Sequence, residues 1–445
     1  MNSQARPLAN AGTLRALRLS SMDTATISTP SSSFQSWYRS LPSDGGGDFN
    51  FSRVSAATRI NKYGLIETVA SGQSRLNYPL IDGVVKGCPS HLLEPQRLQK
   101  LKYSEDFSQI WTKDNTNLTS GFISPDGTAN AYKLTENTSY SRHRIYSEIS
   151  TVNNGATLST SIFVKSAERS WILLRESTTD YGYYFNNGIA GSKTGFPLSY
   201  NIESFPNGWY RYTITTVTPN TSGRLMLSIV TEDGGDTYQG DGTSGIYIYG
   251  AMLEEGSYST SYIPNNGTVA GVTRVAETAN GAGDSSTFND SEGVLMGEIS
   301  GFSNTDASPK VFSLSDGGGS NRIICFLYNT EVVANIQKLG QTGIDLRTDL
   351  GDIETPLKIS VKYKANDFAL WINGFEIATS SSGQTYSEGT LDRLNFDSGY
   401  GIENFYGNVK QIQYFDSALT DSELETLTSW TSFSEMATSQ LYSIQ

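Results

Sequence analysis

Residues 357–379 read "LKISVKYKANDFALWINGFEIAT". The first part alternates apolar and polar residues with a period of two, the mark of a strand with one face buried. Asn366-Asp367 interrupts it, and Asn373-Gly374 follows between strand residues. Asn-Gly between two such runs is the strongest short hairpin signal, because a two-residue type I′ turn needs positive φ at both central positions. The stretch therefore predicts a β-hairpin at Asn373-Gly374. Further on, "GNVKQIQYFDSALTDSELETL" (407–427) supplies one more strand and then Thr420-x-x-Glu423, a capping box that predicts a short helix near 420–428.

The rest of the chain has the same texture. Charged residues make up only 17% of the 445 residues, glycine contributes 43 and tyrosine 25, and no window keeps a helical period beyond about three turns. Strands are predicted at "TLSTSIFVKS", "SWILLRES", "WYRYTITTV", "GRLMLSIVTE" and "GIYIYGAMLEEG", each bounded by turn residues. A second series runs "GVLMGEISGF", "KVFSLSD", "NRIICFLYN" and "EVVANIQK" before the opening stretch. The fold class expected is all-β: two antiparallel β-sandwiches of jelly-roll type in tandem, with an extended N-terminal arm. The boundaries are 1–45 for a polar, Gly- and Ser-punctuated attachment arm, 46–102 for a connector with short strands, and 103–264 for the first sandwich. A linker follows at 265–287, then the second sandwich at 288–430 and a tail at 431–445.

Charge and cysteine content narrow the function. A net charge of −13 with singly scattered Lys and Arg argues against nucleic acid or an anionic membrane as partner. Cys88 and Cys325 lie far apart and are expected to be free thiols. The start "MNSQARPLANAGTLRALRLSS" lacks the apolar core of a signal peptide, and no stretch approaches a membrane span, so synthesis in a cytoplasm is expected.

Catalytic material is scarce. The two histidines, His91 and His143, leave little with which to build a triad or a zinc site. Glu254 and Glu255 are neighbours on a strand and point to opposite faces, and Glu298 has no partner at the spacing a sandwich hydrolase uses. The expectation is that the protein is not an enzyme. Binding chemistry is better represented. "TTDYGYYFNN" gathers Tyr181, Tyr183 and Tyr184, followed by Asn186 and Asn187 and preceded nearby by Trp171. Flat rings for the apolar side of a sugar and amides for its hydroxyls make these six the candidate carbohydrate site; on a strand, Tyr181 and Tyr183 share a face. The plainer reading is that these rings pack the sandwich. Trp209 and Trp371 read as core. In "TEDGGDTYQGDGTSG", Asp233, Asp236 and Asp241 among glycines form a candidate structural Ca²⁺ loop, weighed against a solvated acidic loop.

Three stretches carry a resemblance. "SRVSAATRINKYGLIE", "RLNY", "LLEPQR" and then "YSEDFSQIWTK" resemble a recurrent block of tailed-bacteriophage virion proteins. "NGWYRYTITT" and "GAMLEEGSYSTSYIP" resemble the closing strands of a sandwich similar to carbohydrate-binding modules. Residues 288–430 resemble a concanavalin-A-like or laminin-G-like lectin sandwich. The resemblance implies a virion fibre or decoration subunit on head or tail. Such a subunit would be held by its arm to other virion proteins, be homo-oligomeric with three chains, and bind host-surface polysaccharide. The alternative is a polysaccharide-degrading enzyme or its non-catalytic binding subunit, or a bacterial surface lectin.

Overall fold

A computed structural model of the chain describes residues 14–15, 49–149, 152–176 and 179–430. The arm at 1–45, apart from residues 14–15, and the tail at 431–445 lie outside the described residues. Among the described residues every ladder between named strands is antiparallel and one α-helix is present, Asp421–Thr428.

The first sandwich has two sheets. In the front sheet the strands run in the order Thr112–Asp114, His143–Ile149, Gly223–Val230, Trp171–Glu176, Tyr181–Asn186 and Ile189–Thr194. In the back sheet the order is Thr116–Phe122, Ala131–Glu136, Gly245–Glu255, Thr157–Ser166, Trp209–Val217 and Ser199–Phe205. Period-two alternation decides what lies between them: Ile172, Leu174, Phe185 and Leu227 from the front meet Ile162, Val164, Ile214 and Ile248 from the back.

In the second sandwich Leu357–Lys364, Glu292–Ser300 and Gly407–Phe415 form the middle of one sheet, and Glu331–Gln337, Arg322–Tyr328 and Lys310–Ser315 the middle of the other. Leu295, Phe312, Ile323, Cys325, Val361 and Ile412 fill the space between. The opening stretch folds as its turn residues require. Leu357–Lys364, Phe368–Ile372 and Phe375–Ser380 are successive strands, with φ of 61° at Asn366, 50° at Asn373 and 89° at Gly374. Asp421–Thr428 carries the capping box, with Thr420 accepting from the Glu423 amide and Glu423 from the Thr420 amide. Cys88 and Cys325 form no disulfide.

Trp209 and Trp371 are buried, but neither belongs to a main sandwich core. Trp371 sits with Val294, Leu419 and Leu424 beneath the helix. Trp209 packs with Phe163, Phe205 and Ile66 against the connector.

The connector and linker segments form structure of their own. Asn50–Ser52 pairs with Thr278–Asn280, and Arg97–Gln99 with Val272–Arg274. Ser90–Leu93 adds to the second sandwich beside Gly407–Phe415. At the centre of this middle layer lies a knot of buried charge. Arg75 reaches both carboxylates, bonding Glu94 at 2.8 Å and Glu277 through its Nε at 2.8 Å and again through Nη2. Arg53 bonds Glu277 at 2.6 Å, and Arg274 bonds Glu94 at 2.7 Å. All five residues are at most 2% exposed. Burial alone would push Glu94 up, yet Arg274, Arg75 and the bonds from Ser261 hold it down at about 2. The two sandwiches are thus joined through ion pairs taken out of water.

Candidate functional site

Strand alternation divides the six predicted sugar-site residues. Trp171–Glu176 pairs with Tyr181–Asn186 so that Leu174 faces Tyr183 and Leu173 faces Tyr184. Tyr181 and Tyr183 therefore point to the inner side of the front sheet. Tyr184, Trp171 and Asn186 point outward, where Tyr184 is 7% exposed and packs with Leu173, Val230 and Trp171. Asn187 lies in the turn, with φ of 44° beside Gly188 at 81°, and accepts a hydrogen bond from the Ser166 hydroxyl.

The inward pair is not sealed in. Ile189–Thr194 and Ser199–Phe205 are the last strands of the two sheets, and this edge of the sandwich is its mouth. Tyr183 packs against the main core on one side and meets the Tyr200 ring at 4.8 Å and 61° on the other. Tyr181 meets Phe196 edge-on at 6.0 Å. Behind them Phe185 stacks on Tyr212 at 4.6 Å. The outermost members are well exposed: Phe196 at 78%, Leu198 at 59% and Tyr200 at 47%. Burial raises the Tyr183 phenol, with Tyr200 adding to the shift, so the Tyr183 ring stays neutral across the ordinary pH range. Sequence reading missed Phe196, Leu198 and Tyr200. The signal was present in "KTGFPLSY", a turn bounded by Gly and Pro that carries large apolar residues where a turn is usually polar.

Four arginines on or beside the front sheet are neutralised in space. Arg144 pairs with Asp114 at 2.8 Å, Arg142 with Asp236 at 2.6 Å, and Arg224 with Glu148. The buried Arg175 lies 3.4 Å from Asp180 and donates to the Met226 sulfur. No free cationic patch results from these four arginines.

The three acidic loop residues do not converge. Asp233 accepts from the amide and hydroxyl of Ser192, both at 2.8 Å. Asp236 pairs with Arg142. Asp241 caps its own turn through the amides of Thr243 and Ser244, both at 2.7 Å, and the Ser244 bonds hold its carboxyl well below the usual range. Among the described residues no group of three or more His, Cys, Asp and Glu side chains is placed to hold a metal ion. Asp233 and Asp241 are held by different neighbours, and Asp236 uses one oxygen on Arg142 while its Oδ1 has no hydrogen-bond partner within the protein.

Both histidines are buried. His143 has Nδ1 2.9 Å from the Asn115 carbonyl, and His91 lies in the middle layer. Glu254 is fully buried and accepts from the amide and hydroxyl of Thr260, whereas its neighbour Glu255 points the other way and pairs with Lys100 at 2.9 Å. Glu298 is held by Gln411 at 3.0 Å and Lys410 at 3.3 Å.

No protein-family model matches the chain, and no curated protein matches it by sequence. Among solved structures it is similar to the CBM40 of the Ruminococcus gnavus IT-sialidase, at 17% identity and a TM-score of 0.29 over 34% of this chain and 93% of that one. It is similar to domain 4 of AbnA, a GH43 extracellular arabinanase from Geobacillus stearothermophilus, in complex with arabinotriose. That match has 14% identity and a TM-score of 0.28, over 39% of this chain and 82% of that one. A SAP-like pentraxin from Limulus polyphemus follows at 12% identity and a TM-score of 0.25, over 32% and 71% of the two chains.

Proposed function

We propose that the protein is a non-catalytic glycan-binding protein and that the mouth of the first sandwich holds one sugar-binding surface. The observation that carries this reading is the exposed aromatic group at the mouth, Phe196 with Leu198 and Tyr200, propped from behind by Tyr181 and Tyr183. Large apolar side chains clustered in the open mark interaction sites. Rings held by packing stack on the apolar face of a sugar with little loss of side-chain freedom, and the phenols offer hydrogen bonds at the rim. The sequence resemblance to carbohydrate-binding sandwiches points the same way. A virion fibre that adheres to host polysaccharide and the binding subunit of a polysaccharide-degrading system share this chemistry, and it is the shared chemistry that we propose.

The test is a glycan array probed with the labelled full chain and with Phe196→Ala and Leu198→Ala. Both side chains are exposed, so folding should be unaffected and array signal should fall by about tenfold or more. Undiminished binding by both variants would overturn the mouth as the site.

A further inference from the structure

A cleft of about 700 Å³ lies between the two sandwiches. One wall is the outer face of the back sheet, from Ser199–Phe205 and Trp209–Val217; the floor is the middle layer around Thr58, Glu94 and Ser261; the far wall is the second sandwich around Glu298–Ser303, Asn408 and Lys410. The volume falls within the roughly 300–1,000 Å³ typical of small-molecule sites, and junctions between domains are where such sites concentrate.

We infer that this cleft binds a neutral oligosaccharide, separately from the aromatic mouth. Three observations lead there. First, the lining pairs hydroxyls and amides, such as Ser199, Asn201, Asn77 and Asn408, with the rings of Tyr78, Tyr258 and Phe302, the last two 5.4 Å apart and inclined by 33°. Second, Thr213 lines the cleft at 2% exposure, and its hydroxyl has no hydrogen-bond partner within the protein. A buried hydroxyl without a partner is costly unless a ligand or water supplies one. Third, the charges disfavour an acidic ligand. Glu94 is already compensated by Arg75 and Arg274, and the four other carboxylates of the lining, Asp82, Glu203, Glu298 and Glu354, still outnumber the three cations Arg59, Arg211 and Lys410.

Those cations are already engaged: Arg59 with Glu67 at 2.9 Å, Lys410 with Glu298 at 3.3 Å, and Arg211 with the Thr260 carbonyl at 2.8 Å and the Ser259 hydroxyl at 2.7 Å. A ligand carboxylate would find no unengaged guanidinium and a net negative wall, whereas sugar hydroxyls can both donate to the carboxylates and accept from the wall hydroxyls. Glu94 and Ser261 bring the buried ion-pair cluster to the floor, so the two walls are held apart before any ligand arrives.

The experiment is titration calorimetry of the full chain with maltotriose, cellotriose and N,N′-diacetylchitobiose, and with trigalacturonate and sialyllactose as acidic counterparts. The expected result is binding of at least one neutral sugar in preference to the acidic ones. Asn201→Trp, which blocks the cleft from an exposed strand position, should weaken it by about tenfold or more, and Thr213→Val should weaken it severalfold, with the melting temperature of Asn201→Trp unchanged. Leu339→Ala, an exposed residue in neither site, should leave this binding within about twofold, and because Asn201 and Thr213 line the cleft, loss in their variants separates failure of the cleft from failure of the mouth. The inference is overturned if none of the neutral sugars binds, if Asn201→Trp and Thr213→Val both bind as the unaltered chain does, or if an acidic sugar binds more tightly than the neutral ones.

Discussion

Replacing Glu277 by glutamine would test whether buried charge holds the middle layer together. The carboxylate accepts from Arg53 at 2.6 Å, twice from Arg75, and from the Glu94 amide at 2.9 Å, with no exposure to water. Glutamine keeps the shape but removes the charge, and turns one acceptor into a donor that faces guanidinium donors. Breaking a buried ion pair by changing one partner costs about 3–5 kcal/mol, chiefly because the other charge is left uncompensated out of water. With two arginines left short, the upper end applies, about 5 kcal/mol. At roughly 2–4 °C per kcal/mol for units of this size, the melting temperature should fall by roughly 10–20 °C. Differential scanning calorimetry and urea titration of the full chain measure this. Glu67→Gln is the control, because its pair with Arg59 is partly exposed, with Glu67 at 43%. That change should cost under about 1 kcal/mol. A Glu277→Gln loss no larger than the control's would refute the reasoning, since water would then have to reach the cluster.

Acid should act on the same layer in two steps. Burial pulls His91 down from 6.5 to about 4, so below about pH 6.5 the unfolded chain takes up a proton that the folded one refuses; stability is lost progressively until about pH 4. Glu94, held at about 2 against its usual 4.5, contributes stability above pH 4.5 that is lost as pH falls toward 2. Each step is worth about 3 kcal/mol at most, and urea midpoints from pH 7 to 4 should fall less steeply in His91→Leu than in the parent. Gly374→Ala should cost about 1–2 kcal/mol, because φ is 89° and an added Cβ would meet the Ser429 hydroxyl at 2.6 Å; a urea midpoint shift checks it.

Much of the fold was legible in the sequence because the information is local. Thr157–Ser166 and Trp209–Val217 coincide with the predicted "TLSTSIFVKS" and "WYRYTITTV", since alternation and flanking turn residues fix a strand without reference to its partners. Positive φ at Asn373 and Gly374 and the Thr420–Glu423 cap are likewise properties of a few adjacent residues. Alternation also correctly put Tyr181 and Tyr183 on one face. What it could not say was which face met solvent, because that depends on which strands end the two sheets. The four arginines of the front sheet show the same limit, as their carboxylate partners come from other strands and loops.

The middle layer was decided by tertiary structure alone. In sequence, Arg53 and Arg75 sit in what reads as a connector with short strands, and Glu277 lies about 200 residues further on in a Gly- and Ala-rich linker. No local pattern ties them together. Charged residues default to the surface because leaving water is expensive, and only an opposing charge brought close by the fold reverses that preference. The sequence by itself determined strands, turns and the helix cap, where short-range sterics and hydrogen bonds settle the outcome. The burial of the five charges, the mouth and the cleft between the sandwiches were left to the long-range pairing of segments, because desolvation and concavity exist only once distant surfaces meet.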